Sequence, residues 1–325
     1  MEPPRTRVAF HDLQPRAASF LDDVLAGLTA PQKTLSPKYF YDGRGCELFE
    51  AICDLPEYYP TRTEMAMMRT HAHEMAGRLG DDCMLIEYGC GSGHKTRVLI
   101  TQLRPSAYVP IDIAGGQLKA SALRLADEFP QLNIIAVCAD YSRPLRLPEI
   151  ESMRARRRVI YFPGSTIGNF TLPEAGQFLR NVCALAGAGG AMLVGVDLKK
   201  DPAVLHAAYN DARGVTAEFN LNLLRRINRE LGADFDVSAF RHQAFYNAEI
   251  GRIEMHLESL AAQRVTLAGR QFDFHRGETI HTENSYKYSV DEFRQLARAS
   301  GFEPQAVWTD PQQLFAVHYL AAPQA

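Results

Sequence analysis

One stretch constrains the fold of this chain more than any other: L-I-E-Y-G-C-G-S-G-H-K-T-R, from Leu85 to Arg97. Leu85 and Ile86 are apolar, Glu87 ends a strand pattern, and Gly89, Gly91 and Gly93 follow at alternate positions. Glycines belong where the backbone takes unusual dihedrals or must approach a ligand with no side chain between. A buried strand, such a loop and then a helix make the nucleotide-binding corner of an open α/β sheet. A tight turn with no ligand is the plainer reading, since a lone glycine-rich motif is weak.

The spacing separates the nucleotides. A dinucleotide fingerprint needs a small residue three places after the second glycine, so that helix and strand pack closely. That place holds His94, which is too large. Gly89 to Thr96 nearly matches a Walker loop, but His94 stands where the glycine before the lysine belongs. An acidic residue just ahead of the first glycine, as Glu87 is here, is typical of enzymes that use S-adenosylmethionine, which has no pyrophosphate.

Strand and helix signals alternate on both sides of this loop. Strand patterns cover Met84–Gly89, Ala107–Asp112, Asn133–Asp140, Arg158–Gly164 and Ala191–Lys199, with a helical pattern from Gly116 to Glu128. Thr171-Leu172-Pro173-Glu174 reads as a capping box that opens a helix to about Ala186. Near the end come helix Val290–Ser300 and strands Pro304–Thr309 and Phe315–Ala321. This rhythm predicts a doubly wound, mostly parallel sheet. The last two strands share a short Asp310-Pro311 turn, so they are expected to pair antiparallel. Residues 201–287 break the rhythm. One helix is expected over Ala203–Arg229, with Phe219, Leu223 and Ile227 as its apolar stripe, and meander strands over Arg252–Leu260 and Gln263–His275. The block is too long for a loop and is expected to be an inserted α+β subdomain. The expected organisation is therefore 63–200 with 288–325 as the cofactor domain, and 1–62 with 201–287 as the substrate domain.

Composition narrows the function classes. The chain has 325 residues, 46% hydrophobic and 22% charged, and a formal net charge of -3. Nothing in that balance favours a nucleic-acid partner. No apolar run approaches the roughly 18 residues that span a bilayer, so no membrane association is expected. Met1-Glu2-Pro3-Pro4 shows no basic flank ahead of an apolar core, so no signal peptide is expected. None of the six cysteines form a C-x-x-C pair, which argues for reduced thiols in a cytoplasm. The ten histidines show no H-x-x-x-H or H-E-x-x-H pattern, and no metal site is expected.

Acidic residues at strand ends continue the cofactor argument. Asp112 ends the second strand pattern, 23 residues after Gly89, where a carboxylate can accept both ribose hydroxyls. Asp140 ends the third, followed by Tyr141, an arrangement that suits the adenine amino group and ring. Either aspartate alone could simply cap a helix. Glu87, Gly89, Gly91, Asp112 and Asp140 at successive strand ends are jointly more specific.

Longer motifs carry a family resemblance. L-P-E-Y-Y-P-T-R-T-E (Leu55–Glu64), G-S-T-I-G-N (Gly164–Asn169), Y-N-D-A-R-G-V-T-A-E-F-N (Tyr209–Asn220), R-I-E-M (Arg252–Met255) and T-E-N-S (Thr282–Ser285) resemble the L-histidine Nα-methyltransferases of ergothioneine biosynthesis. The resemblance runs from about Leu28 to the last strand. It implies a Rossmann-like class I methyltransferase sheet plus a second domain, with histidine held between them. It also implies transfer of three methyl groups from S-adenosylmethionine to the histidine α-amine, giving hercynine. A monomer acting on this small molecule is expected.

By the same resemblance, Asn169 and Tyr209 hold the substrate carboxylate, for which an amide NH2 and a phenol OH are suitable donors. Glu283 and Ser285 grip the imidazole, Met255 walls its pocket, and Tyr58 is an aromatic on that side. Tyr41 belongs to an N-terminal lid, Gly164 offers a backbone carbonyl near the α-amine, and Lys95 lies on the cofactor side. Tyr41, Tyr58 and Gly164 are the catalytic candidates. Plainer roles exist: Tyr58 and Met255 as core, Glu283 as a solvated strand residue, Asn169 as a turn cap. The family's usual loop is G-S-G-T-S-E-K-T-R, whereas this chain has G-C-G-S-G-H-K-T-R, a change expected to alter affinity and not reaction class. Asn284 replaces a residue that is often apolar, and strand alternation is expected to turn it away. A sister activity on tryptophan-derived alkaloid precursors or another aromatic amino acid, and a non-catalytic cofactor-binding module, are the alternatives. Glu283 with Met255 argues against the first, and the Asn169, Tyr209 and Glu283 set against the second.

Overall fold

The structure is a computed structural model and describes residues 8–13, 17–91, 93–141 and 157–324. Ser92 of the glycine loop and the expectation placed on residues 1–4 lie outside the described residues. Strand β1 (Val8–Asp12) comes first, followed by helices α1 (Ala17–Thr29), α2 (Gly43–Cys53) and α3 (Tyr59–Leu79). Next come β2 (Met84–Tyr88), α4 (His94–Leu103), β3 (Ala107–Asp112), α5 (Gly115–Glu128) and β4 (Asn133–Cys138). They lead to β5 (Arg158–Phe162), α6 (Leu172–Ala186) and β6 (Ala191–Asp197). Helices α7 (Pro202–Tyr209) and α8 (Val215–Leu231) precede β7 (Phe240–Asn247), β8 (Arg252–Ser259), β9 (Gln263–Leu267), β10 (Arg270–Phe274) and β11 (Thr279–Tyr286). Helix α9 (Val290–Ala299), β12 (Glu303–Thr309) and β13 (Phe315–Ala321) end the chain.

Two compact units divide these elements. The first holds β1, α3 from Pro60 onward through β6, and α9 with β12 and β13. Its sheet has eight strands in the order β1-β4-β3-β2-β5-β6-β13-β12. From the central β2 the chain steps outward to β3 and β4, then returns to β5 on the other side. That reversal is a topological switch point, where open sheets bind ligands beyond the carboxyl ends of their strands. Every residue of β2 and β6 is buried. Parallel strands covered on both faces read as continuous apolar runs, which is why Met84-Leu85-Ile86 and Val159–Phe162 stood out. The last two strands pair antiparallel, and β13 also runs antiparallel to β6. Glu174 accepts from the Thr171 backbone N–H (2.8 Å) and hydroxyl (2.6 Å), so the predicted box opens α6.

The second unit holds α1, α2 and the elements α7 to β11. Its three-stranded sheet runs β11-β8-β7, antiparallel throughout, and β9 with β10 makes a separate hairpin. Phe219, Leu223 and Ile227 are buried along α8, as their spacing predicts.

Several expectations are corrected. The first 60 residues do not all join the inserted region: β1 pairs in parallel with β4, from Val8 against Ile134 to Asp12 against Cys138. V-A-F-H-D is an edge strand, too short and half-exposed to show a period. The single helix expected over Ala203–Arg229 is two. Asp211 accepts the N–H groups of Val215 (2.9 Å) and Thr216 (2.8 Å), and Gly214 stands at φ 70°. A carboxylate on the free N–H groups of a new first turn restarts a helix. Strands β7 and β11 show no clear apolar alternation because polar side chains fall on both faces, as His242 and Gln243 do on β7 and Asn284 and Ser285 on β11. Gln263–His275 is two strands, turned at Ala268 (φ 49°) and Gly269 (φ 75°).

Candidate active site

In the first unit, β2 delivers the glycine loop at the switch point. Gly89, Gly91 and Gly93 have φ of 71°, 47° and 74°, a left-handed backbone that glycine adopts without strain. A Cβ at Gly89 would come 3.4 Å from the Tyr141 hydroxyl. Asp112 ties the loop to β3: it accepts from the Gly91 N–H (3.1 Å) and the Ala114 N–H (2.9 Å). Ser121 donates to the Gly91 carbonyl at 3.0 Å. Tyr141 follows the buried Asp140 and sets its ring edge-on to Tyr88 (5.6 Å) and Phe162 (6.0 Å). Gly89, Gly91, Asp112 and Tyr141 are thus brought together. Backbone left bare by glycines, beside carboxylates and an aromatic ring, has the chemistry to hold a ribose and an adenine.

Glu87 takes a different position from the one its motif suggests. Its carboxylate is buried and accepts from Thr96 (2.7 Å to both oxygens) and from the Tyr108 hydroxyl. Burial pushes its pKa up to about 7 against these hydrogen bonds and the charge of Lys95. Glu87 therefore braces α4 against β3 and holds the loop between them, with its oxygens engaged inside the protein.

Lys95 also has an internal partner. Its ammonium lies 2.5 Å from a carboxylate oxygen of Glu64, which is fully buried on α3. Glu64 in turn accepts the Gly164 N–H at 2.9 Å. Gly164 (φ 78°) and Ser165 (φ 59°) form a left-handed turn after β5. For serine this is strained backbone, held here because the Ser165 hydroxyl accepts the Asp197 N–H at 2.8 Å. The short turn Thr166–Asn169 follows and ends on the half-buried Asn169.

The second unit sets several candidate substrate residues on and around one sheet face. Glu283 pairs with Met255 and Ser285 with Ile253, so Glu283, Ser285 and Met255 point the same way. The Tyr209 hydroxyl donates to Ser285 Oγ at 2.7 Å. Tyr58 stands edge-on to Tyr209 (6.4 Å) and to Phe49 (6.5 Å), and Tyr41 edge-on to Phe49 (5.7 Å). Desolvation raises the Tyr58 phenol well above its ordinary pKa, and the charges of Tyr209, Cys53, Glu283 and Tyr41 add to this. Asn284 pairs with Glu254 on the opposite face, as alternation predicts. Asn169 lies in the first unit and Tyr209 in the second.

A buried network behind this face was not read from the sequence. The β11 register shifts between His281 and Glu283, a bulge that re-aims the residues after it. At the bulge, the Thr282 hydroxyl donates to Asn220 Oδ1 (2.8 Å) and to the Met255 carbonyl (3.1 Å). Asn220 Nδ2 donates to the His256 carbonyl (3.0 Å) and faces His242 Nδ1 (2.9 Å). The other nitrogen of His242 lies 2.9 Å from the Tyr209 carbonyl and donates to it. Asn220 and Thr282 both lie inside motifs of the resemblance, but their spacing carries no hint of this bonding. On the outer face, Glu254, His256 and His281 come together with ligand atoms within 4.8 Å of one another. No metal set was expected, because these groups meet across β8 and β11. Glu254 already accepts from Arg252 (2.9 Å) and Asn247 (3.1 Å), and burial lowers the pKa of both histidines. His281 Nε2 donates to the Glu283 carbonyl at 3.0 Å, so the cluster steadies the strand.

A family model described as histidine-specific methyltransferase, SAM-dependent, matches residues 20–322. The histidine N-alpha-methyltransferase of Mycolicibacterium smegmatis is 41% identical over 296 residues, 89% of this chain and 90% of its own length. Its Mycobacterium tuberculosis counterpart is 42% identical over 294 residues, with 89% and 90% covered. The 4-dimethylallyltryptophan N-methyltransferase of Aspergillus fumigatus is 29% identical over 315 residues, with 90% and 91% covered.

Proposed function

This chain belongs to the histidine-specific, S-adenosylmethionine-dependent methyltransferase family, and from that premise we propose that it converts L-histidine to Nα,Nα,Nα-trimethylhistidine in ergothioneine biosynthesis. The observation that carries the reading is the second unit's sheet face. It sets a carboxylate, Glu283, beside a hydroxyl pair, Tyr209 and Ser285, and an aromatic, Tyr58. A carboxylate that accepts from one ring nitrogen and a hydroxyl that serves the other suit an imidazole. An indole offers one N–H and no acceptor, and makes poor use of that pair.

The donor supplies an electrophilic methyl on a sulfonium. Asp112, Asp140 and Tyr141 would hold its ribose and adenine, and the bare backbone of Gly89 and Gly91 would lie against it. The protein's remaining work is alignment, which supplies most of the rate when two bound groups react. The Asn169 amide would donate to the substrate carboxylate, and the Gly164 carbonyl would orient the α-amine. The amine must be neutral to attack. Tyr58, with its pKa raised by desolvation, stays a neutral phenol and passes or receives hydrogen bonds. Carboxylate and ring contacts are unchanged by each methyl added, which supports repeated transfer. The absence of any C-x-x-C spacing among the six cysteines of the sequence supports a reducing, cytoplasmic setting, and a monomer is part of the same proposal. No helix among the described residues is long and apolar enough to cross a membrane.

The test is incubation with methyl-labelled S-adenosylmethionine and each standard amino acid in turn, with the product's methyl groups counted by mass spectrometry. Histidine alone should take label and reach the trimethyl stage. Preferential labelling of tryptophan, or of no amino acid, would overturn the proposal.

A further inference from the structure

We propose that Glu64 is the counter-ion that allows Lys95 and a cationic methyl donor to share one corner of the first unit. It is also the residue that positions the Gly164 turn. The inference rests on the reading above that Gly164 faces the amine being methylated.

Glu64 is a charge inside the protein, 0% exposed on α3. A buried carboxylate is costly unless paired and hydrogen-bonded. Its contacts are the Lys95 ammonium (2.5 Å) and the Gly164 N–H (2.9 and 3.2 Å to its two oxygens). One carboxylate therefore joins the helix that follows the glycine loop to the turn that follows β5. Space is shaped for it as well: a Cβ at Gly195 would come 2.3 Å from Glu64 Oε1. The turn it holds includes Ser165 at φ 59°, a backbone that persists where surroundings fix it.

Charge explains why the partner of Lys95 is an acid. The Lys95 ammonium lies 3.6 Å from where a Gly164 Cβ would stand. The reacting nitrogen and the sulfonium methyl must approach within about 3–3.5 Å of one another. A lysine this close to the Gly164 turn is close to the sulfonium, and two unpaired cations there would repel. Glu64 cancels that repulsion. After transfer the sulfur is neutral, so the effect acts on the substrate form of the cofactor and not on S-adenosylhomocysteine.

Calorimetry of S-adenosylmethionine and S-adenosylhomocysteine binding tests this. In Glu64→Gln, whose amide oxygen can still accept from Gly164, S-adenosylmethionine should bind at least about tenfold more weakly, the order expected for one extra cation within about 12 Å at an effective dielectric of about 20. S-adenosylhomocysteine should bind nearly as to wild type. Adding Lys95→Met should restore the ratio of the two affinities. Lys95→Met alone leaves the anion unmatched and should shift the ratio the opposite way, toward S-adenosylmethionine, which keeps the test open if Glu64→Gln does not fold. Equal weakening of both ligands, or a ratio that no variant moves, would overturn the counter-ion role. No amino acid is present, so a chain that binds both cofactors but leaves histidine untouched fails the proposed function and not this one.

Discussion

Replacing Asn220 by aspartate should invert how the second unit responds to pH. The amide donates to the His256 carbonyl (3.0 Å) and to His242 Nδ1 (2.9 Å), and accepts from Thr282 (2.8 Å). A carboxylate keeps the Thr282 bond and turns an acceptor on the other two. Each buried acceptor left unpaired costs about 1–3 kcal/mol, so the variant should lose about 2–6 kcal/mol at pH 8. In the wild type, burial lowers the His242 pKa against the pull of the Tyr209 carbonyl and Asp211. Its unfolded form then binds more protons than the folded one, and stability falls as pH drops below the ordinary histidine range. In the variant, protonated His242 presents a donor to the introduced carboxylate, and its folded pKa is raised. That contribution is present at low pH and lost as pH rises through the raised pKa. A hydrogen bond to a charged group is worth about 1.5–3 kcal/mol, so the gap between variant and wild type should narrow by that amount towards pH 5.5. Urea unfolding of both proteins, followed by circular dichroism at steps across this range, gives the gap. Burial also lowers His256, His281 and His318, the last to about 3, but these act in both proteins and cancel in the difference. A gap that is flat with pH would refute the pairing of Asn220 with His242.

Asp112→Ala should weaken S-adenosylmethionine binding by about 1.5–3 kcal/mol, measured by calorimetry, since a charged hydrogen-bond acceptor is lost. Unchanged affinity in a folded variant would remove Asp112 from the cofactor site. Glu283→Ala should lower kcat/KM for histidine far more than it changes cofactor affinity; wild-type kcat/KM would make Glu283 a bystander. Gly195→Ala places a methyl 2.3 Å from Glu64 and 3.0 Å from the Phe315 ring, and should cost about 1–3 kcal/mol in stability by thermal unfolding. The kcat/KM for histidine should climb with pH through the titration of the substrate's α-amine, which lies above the roughly 7.7–8.0 of a peptide terminus because a carboxylate stands in place of the peptide carbonyl, and a flat profile would point to a tuned protein base.

Much of the fold and of the cofactor corner is legible in one dimension. Buried parallel strands are apolar at every position, so Met84-Leu85-Ile86 and Val159–Phe162 announce the sheet without help from any neighbour. Gly89, Gly91 and Gly93 mark a left-handed loop because no other residue takes that backbone freely, and the spacing to His94 excludes a dinucleotide. The candidate ring-side residues Tyr58, Glu283 and Ser285 are named by resemblance alone, since they are ordinary in composition and period. What the sequence left undecided is which polar groups are buried and what they face. Glu64 and Lys95 are 31 positions apart and Asn220 and Thr282 are 62 apart; nothing local distinguishes them from solvated side chains. Glu87 reads as a ligand in its motif, yet the packing of α4 against β3 turns it to Thr96 and Tyr108. Burial and partner choice are set by strands and helices brought together from distant parts of the chain. For a charge, those two facts decide whether it binds a ligand or holds the protein that does.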